Sequence, residues 1–181
     1  MLQRQLLQMV YAKDQMIFAY ADPPYFGMGK KMYQKHHEEA YIWDDRMTHI
    51  DLVTMMDNAY DGWALSCNPR DISWLLPQCP DKTRMAVWVK PYAQIRPVMT
   101  QYMYECLLFK TNKKLGSRKP MVKDWLQTSP TRKTGLQGSK PEEFNKWVLD
   151  LLGFELNDEL DDIFTGTNSM GKALNGYLHM V

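Results

Sequence analysis

Short apolar runs, each closed by a proline, a glycine or a capping residue, set the pattern of this chain. Residues 15–21 are mostly apolar and run into Asp22-Pro23-Pro24. Proline cannot donate to a central ladder, so the pattern predicts a buried strand that stops at Asp22. Thr48 with Asp51 three residues on, followed by Leu52, Val53, Met55 and Met56, predicts a short helix capped by Thr48. Asp61-Gly62 is a turn before a second apolar run at 63–67. Asn68-Pro69 supplies a cap and an N1 proline for a helix reaching about Leu76. Further strands are predicted at 85–89, stopped by Lys90-Pro91, and at 102–109. Ser139 with Glu142 reads as a capping box, and Phe144, Trp147, Val148, Leu151 and Leu152 recur at helical spacing up to Gly153. A fifth strand at 160–164 leads into Thr165-Gly166-Thr167-Asn168-Ser169-Met170-Gly171 and a short last helix.

Strands alternating with helices predict an α/β fold, with a mostly parallel sheet and helices on both faces. In such sheets ligands bind beyond the carboxyl ends of the strands. Two segments fall there: Asp22-Pro23-Pro24-Tyr25 and the 165–171 loop. No internal repeat is present, and the 181 residues suit one domain.

Composition agrees with a folded domain, at 45% hydrophobic and 24% charged residues. A net charge of +1 excludes a uniformly basic or acidic chain. No apolar stretch is long enough to span a bilayer, residues 1–11 lack a signal-peptide pattern, and Cys67, Cys79 and Cys106 form no metal or disulfide framework. These features suit a reducing cytoplasm. The charge is unevenly placed, however. Residues 110–140 hold nine basic residues against Asp124 alone, net +8, and 141–181 are net −6. The basic stretch carries several glycines and prolines and reads as an inserted loop in the single domain. Lys113, Lys114, Arg118, Lys119, Arg132 and Lys133 are its candidate nucleic-acid contacts; the alternative is a solvated loop that balances the acidic tail.

The strand-end segments carry candidate chemistry. Two consecutive prolines fix two φ angles and remove two N–H donors. Asp22 thus offers a carboxylate, Pro23 and Pro24 offer rigid carbonyls, and Tyr25 offers an aromatic face. That set suits a planar ligand with an amino group, whose ring stacks on Tyr25 while Asp22 and a proline carbonyl accept the amino hydrogens. Accepting both localises the nitrogen lone pair and makes the nitrogen a better nucleophile. The small-residue turn after the fifth strand lets backbone approach a ligand closely.

Together these segments resemble the amino DNA methyltransferases, which methylate an exocyclic nitrogen of adenine or cytosine. Asp22-Pro23-Pro24-Tyr25 is similar to their catalytic motif, and Asp162-Ile163-Phe164-Thr165-Gly166-Thr167 to their S-adenosylmethionine loop. The order is the permuted one, with the catalytic motif first. Val87-Trp88-Val89-Lys90-Pro91, Tyr104-Glu105-Cys106-Leu107-Leu108-Phe109-Lys110 and Ser139-Lys140-Pro141 resemble further segments in the family's order. Asp22-Pro23-Pro24-Tyr25-Phe26, Tyr60-Asp61-Gly62-Trp63-Ala64-Leu65-Ser66 and the stretch from Lys140-Pro141 through Asp162 also resemble a compact group of DNA methylases found in phages and bacteria. The resemblance implies a Rossmann-like methyltransferase sheet shortened at its C-terminal side, S-adenosylmethionine as cofactor and DNA as partner, with N6 of adenine the favoured target. It implies catalytic roles for Asp22, Pro23, Pro24 and Tyr25, and cofactor contacts from Lys140, Pro141, Asp162, Phe164, Thr165, Gly166, Thr167 and Asn168.

Three departures bear on this expectation. Asn168 stands where the family has a second loop glycine, and Asn tolerates positive φ better than most residues. The two further strands of a full enzyme, one bearing a ribose-binding acid, do not follow Gly171 in this sequence, so a homodimer or protein partner completing the sheet is expected. The basic segment is also too short for a separate target-recognition domain. A catalytically silent module that binds nucleic acid or protein is therefore the competing reading. Elsewhere, residues 30–46 could clamp DNA as a loop over the pocket or form a solvated lid, His36-His37 read as surface residues rather than metal ligands, Cys67 as a buried thiol, and Trp125 and Trp147 as core or loop anchors.

Overall fold

A computed structural model describes residues 15–35, 37–92, 97–114, 121–131 and 139–178. Strand β1 (Ile17–Ala21) leads through a π-helical turn at Gly29–Tyr33 and a 3₁₀ helix at Glu38–Asp44 into α1 (Arg46–Ala59). Strand β2 (Gly62–Cys67) is followed by α2 (Ile72–Leu75), which is flanked by 3₁₀ turns at Pro69–Asp71 and Leu76–Gln78. Then come β3 (Arg84–Val89), β4 (Tyr104–Thr111), β5 (Trp125–Gln127), α3 (Glu142–Leu152), β6 (Glu159–Asp162) and α4 (Ser169–Leu178). The sheet order is β5-β3-β4-β2-β1-β6.

The α/β class is as expected, and the first four strands and the helix at 142–152 lie within a few residues of their predicted spans. The sheet is mixed. β1 is parallel to β2 and β6, and β3 to β5, but β4 runs antiparallel to β2 and β3. No helix separates β3 from β4 among the described residues, so the chain returns at the same end and reverses. The middle of the basic segment holds a strand where a loop was expected: Trp125 to Gln127 pair with Val87 to Val89. Trp125 stays exposed there, whereas Trp147 is core.

Period-two alternation sends each strand's side chains to two cores. Phe18, Tyr20, Ala64, Trp88 and Leu107 pack against Phe144, Val148 and Leu152 of α3. Ala19, Ala21, Trp63, Leu65 and Leu108 pack against Leu52, Val53 and Met56 of α1 and Leu75 of α2. β1 and β2 are therefore covered on both sides, and every residue of β2 is buried. Burying one large side chain of this kind stabilises the fold by about 1.5–3 kcal/mol. The second layer stops at β4. Met85 (41% exposed), Tyr104 (42%) and Trp125 (48%) share the face of Leu108 and Cys106 but lie beyond the reach of α1.

Caps adjust two predicted helix starts. Asp45, rather than Thr48, caps α1 by accepting from the Met47 N–H at 3.0 Å, while the Thr48 hydroxyl donates to the Ile42 carbonyl. Pro141 is the N-cap residue of α3, so the Ser139–Glu142 capping box does not form. Gly153 ends α3 at φ +73°, with its own N–H on the Asp150 carbonyl and the Phe154 N–H on the Leu149 carbonyl.

Candidate active site

All the parallel strands point their carboxyl ends the same way, and the site is built there. Asp22 leaves β1 directly, and Asp162 ends the neighbouring β6, in register with Tyr20. Because β4 is antiparallel, its first residues, Tyr104 and Glu105, lie at this end too, with Trp88 opposite Glu105. The proline-fixed segment after Asp22 and the turn after Asp162 thus face one cleft of about 410 Å³. Tyr20, Asp22, Pro24, Lys140, Asp162 and residues 163–167 line it, and Ile42 and Trp43 of the 3₁₀ helix form a further wall.

Four charged groups organise the floor. The Lys140 ammonium, its side chain only 6% exposed, donates to both Asp22 carboxylate oxygens, at 2.9 and 2.8 Å. It also lies 3.3 Å from Glu105 Oε2 and 3.3 Å from the Tyr25 hydroxyl. Tyr25 donates that hydroxyl to Glu105 Oε2 at 2.8 Å, and Lys90 pairs with Glu105 Oε1 from the other side. Two carboxylates and two ammonium groups therefore balance. Burial raises the Asp22 pKa, and the Lys140 charge only partly offsets it. Burial also opposes ionisation of Glu105, but Lys140 and Lys90 together outweigh it and hold its pKa down at about 2. Burial would discharge Lys140; the facing Asp22 and Glu105 carboxylates reverse that and push its pKa up. Deeper in, the Tyr20 hydroxyl meets Ser66 Oγ at 3.0 Å.

Asp162 differs in kind. Its Oδ1 is buried without a hydrogen-bond partner, and burial lifts its pKa to about 6 against a favourable backbone bond from Phe164. An orphaned carboxylate oxygen in a cleft is a seat for a cationic or N–H-bearing group. Gly166 (φ +42°) and Asn168 (φ +55°) turn the chain after it, and both occupy the left-handed region. A Cβ on Gly171 would come within 2.2 Å of Asn168 Oδ1, so that glycine leaves room for the asparagine side chain at the start of α4. Ser139 Oγ, free of any capping duty, lies 3.1 Å from Thr167 Oγ1 and ties the Lys140 segment to this turn.

The segment that walls the cleft, Gly29–Tyr33 with Glu38–Asp44, is a single unit and stands where a lid was expected. The Gly29 and Lys30 N–H groups both donate to the Asp44 carboxylate, at 2.8 and 3.0 Å. A Cβ on Gly29 would lie 2.0 Å from the Ala40 carbonyl oxygen, so the π-helical turn and the 3₁₀ helix touch through backbone. Trp43 carries the lid onto the turn, its ring edge-on to Phe164 at 5.0 Å.

Of the sequence candidates, Asp22, Tyr25, Lys140, Asp162, Phe164, Thr165, Gly166 and Thr167 come together, with Pro24 in the wall; Pro23 and Pro141 are buried behind them, and Asn168 shapes the turn. Lys140 sits on Asp22. Lys113 lies at the opposite end of the sheet, just beyond the Thr111–Gly62 pairing, where it binds Asp158 and Glu155. Lys114 is exposed at that same end. Arg118, Lys119, Arg132 and Lys133 lie outside the described residues, as does His36. Cys67 is buried, its thiol pKa pushed up by burial, and no metal-ligand cluster occurs among the described residues. Sequence reasoning missed Glu105 as a site residue. The signal available was a carboxylate next to the start of a strand whose middle, Cys106 to Phe109, is apolar.

No protein-family model matches the chain, and no curated protein matches it in sequence. Solved structures do. M1.HpyAVI superimposes with a TM-score of 0.57 at 16% identity, covering 96% of this chain and 83% of that one. The M1.HpyAVI–SAM complex gives 0.55 at 16%, covering 96% and 84%. TTHA0409 from Thermus thermophilus, a candidate DNA modification methylase, gives 0.50 at 15%, covering 92% and 80%. At these identities the likeness speaks for architecture: the chain has the Rossmann-like fold found in DNA methyltransferases.

Proposed function

We propose that this protein is an S-adenosylmethionine-dependent DNA methyltransferase of the permuted amino type, acting on an exocyclic amino group, that of adenine N6. The observation that carries the reading is the shared cleft: Asp22 and Pro24 of the first segment and the 165–167 turn, far apart in sequence, line one cavity at the carboxyl ends of adjacent strands, with Tyr25 reaching its floor through Lys140. The cleft falls within the 300–1,000 Å³ range of small-molecule sites. The unpartnered Asp162 oxygen suits the cofactor's ammonium group, the open turn at Gly166 lets backbone come close, and Trp43 and Phe164 offer apolar walls for a planar ring. When bound, the cofactor would supply a methyl group on a positively charged sulfur.

The chain's own residues do the rest. A base must leave the duplex stack to reach a cleft this deep. Tyr25 holds its ring. Asp22, its carboxylate paired with Lys140, accepts an amino hydrogen and directs the nitrogen lone pair toward the turn. A carboxylate has about four lone-pair sites, so it can serve Lys140 and the base together. The working unit is the whole chain as one domain. Its basic 110–140 insertion contacts DNA phosphates, and a second copy or another protein pairs with the outer edge of β6, unpaired among the described residues. Three free cysteines suit a reducing cytoplasm, the host's if a phage encodes the chain. No helix among the described residues is long and apolar enough to cross a membrane.

The silent-module reading draws on one observation, the ammonium seated on both Asp22 oxygens. Methyl transfer from labelled S-adenosylmethionine to unmethylated DNA separates the two. The enzyme reading expects transfer by the wild type and a loss of at least about 100-fold in Asp22→Ala. Equal signal from both proteins removes Asp22 from the chemistry, and no cofactor binding at millimolar concentration removes the enzyme.

A further inference from the structure

Glu105 belongs to neither strand-end segment, yet it touches more of the floor than any residue except Lys140. It is the second residue of β4, 80 residues after Tyr25, and reaches the floor only because β4 is antiparallel. One of its oxygens receives the Tyr25 hydroxyl and lies 3.3 Å from Lys140, while the other holds Lys90. Lys140 in turn divides its donors between Glu105, the Tyr25 hydroxyl and both oxygens of Asp22. The lysine is thus suspended between two carboxylates, and the phenol is clipped between the same lysine and one of them.

We propose that Glu105 is a positioning residue for transfer: it anchors the Tyr25 ring through its hydroxyl and holds the Lys140 ammonium between itself and Asp22. This rests on the methyltransferase reading, and it names a residue that neither strand-end segment contains. The arrangement explains the double pairing with two lysines. A single buried carboxylate with two ammonium groups would leave an excess positive charge, and one lysine with two carboxylates an excess negative one; either is costly without bulk water. With both pairs present, the Asp22 carboxyl group is held in a fixed position with lone pairs to spare. Without Glu105, Lys140 turns wholly to Asp22 and binds it more firmly, and Tyr25 loses the 2.8 Å acceptor of its hydroxyl.

The two neighbours of Asp22 therefore act on it with opposite sign, and a role limited to packing would not do that. The test follows the Asp22 carboxyl by carbon-13 NMR in protein labelled at aspartate, its signal identified by loss in Asp22→Asn. Removing the cation in Lys140→Met moves the Asp22 titration to higher pH. Removing the anion in Glu105→Gln, which keeps an acceptor for Tyr25, moves it to lower pH. Lys140→Arg restores the wild-type position. If Lys140→Met does not fold, as its circular dichroism would reveal, Glu105→Gln decides alone. An Asp22 titration unmoved in Glu105→Gln, or moved upward, overturns the proposal. Methyl-transfer kinetics supply the second arm: Glu105→Gln lowers kcat about tenfold and changes the cofactor KM by less than about twofold. An unchanged kcat also overturns it. Should the wild type transfer nothing while the titrations split as stated, the functional reading falls and the charge clamp on Asp22 stands.

Discussion

Asp162 is the cleft residue whose environment the protein itself leaves incomplete. Its buried oxygen has no partner, and burial, with Asp22 and Asp161 acting in the same direction, overcomes the Phe164 N–H to lift its pKa to about 6 from an ordinary 3.8. Between those values the folded form holds a proton that the unfolded chain has released. Stability of the free protein therefore falls as pH rises from about 4 to about 6 and is flat above, as far as this group is concerned. Asp162→Asn removes that slope. Thermal melts at pH 7.5 then give a midpoint a few degrees higher than wild type, since ~1 kcal/mol moves a domain of this size by about 2–4 °C. The same variant loses cofactor affinity by at least about tenfold in calorimetric titration, because the charge for the ammonium is gone. Asn168 makes the converse case. At φ +55° an asparagine is tolerated and a β-branched residue is not. Asn168→Val lowers urea-unfolding stability by roughly 1–2 kcal/mol, whereas Asn168→Gly stays within about 1 kcal/mol of wild type.

At the scale of elements, the lid depends on one glycine. The 2.0 Å approach of a Gly29 Cβ to the Ala40 carbonyl means that Gly29→Ala must drive the π-helical turn off the 3₁₀ helix. Because Trp43 rides on that helix and leans on Phe164, the displacement reaches the cleft. Gly29→Ala is expected to weaken cofactor binding about tenfold with a much smaller effect on global stability, since the two lid pieces bury few core side chains. Much of this scale was legible in sequence. Prolines at 23 and 24, Gly153 and the Asn68-Pro69 pair act on their immediate neighbours, so their structural effect is local and readable. The lid contact, the Asp45 cap and strand β5 were not. Trp125 to Gln127 is too short to show alternation, and it becomes a strand only because β3 offers an open edge. The direction of β4 is likewise invisible in its composition, and with it went the role of Glu105. Pairings across 118 residues, as between Asp22 and Lys140, leave no periodicity to find.

Taken as a whole, the molecule combines a chemically specialised end with uneven charge. Lys113 is committed to Asp158 and Glu155, so any electrostatic grip on DNA falls to other members of the basic segment. Each phosphate neutralised contributes about −0.9 to the slope of log affinity against log salt. Replacing Arg118, Lys119, Arg132 and Lys133 together by glutamine is expected to flatten that slope by roughly 3–4, measured by fluorescence anisotropy on duplex DNA. An unchanged slope would mean that the segment balances the acidic tail and nothing more. Lys113→Gln, in contrast, leaves the slope alone and lowers stability, because it takes the counter-charge from the fully buried Asp158 carboxylate and leaves it the Met16 and Glu155 N–H groups.

The seating of β6 beside β1 has a consequence for how the chain comes into being. Ile17 lies against Glu159, so the first of the described strands to leave the ribosome cannot complete its hydrogen bonding until more than a hundred further residues have been synthesised. Contacts of such separation close slowly, and an unfinished strand flank invites wrong neighbours in the meantime. Nascent chains halted before α3 should accordingly be chaperone-bound and protease-sensitive, and acquire protection in a single late step once β6 emerges.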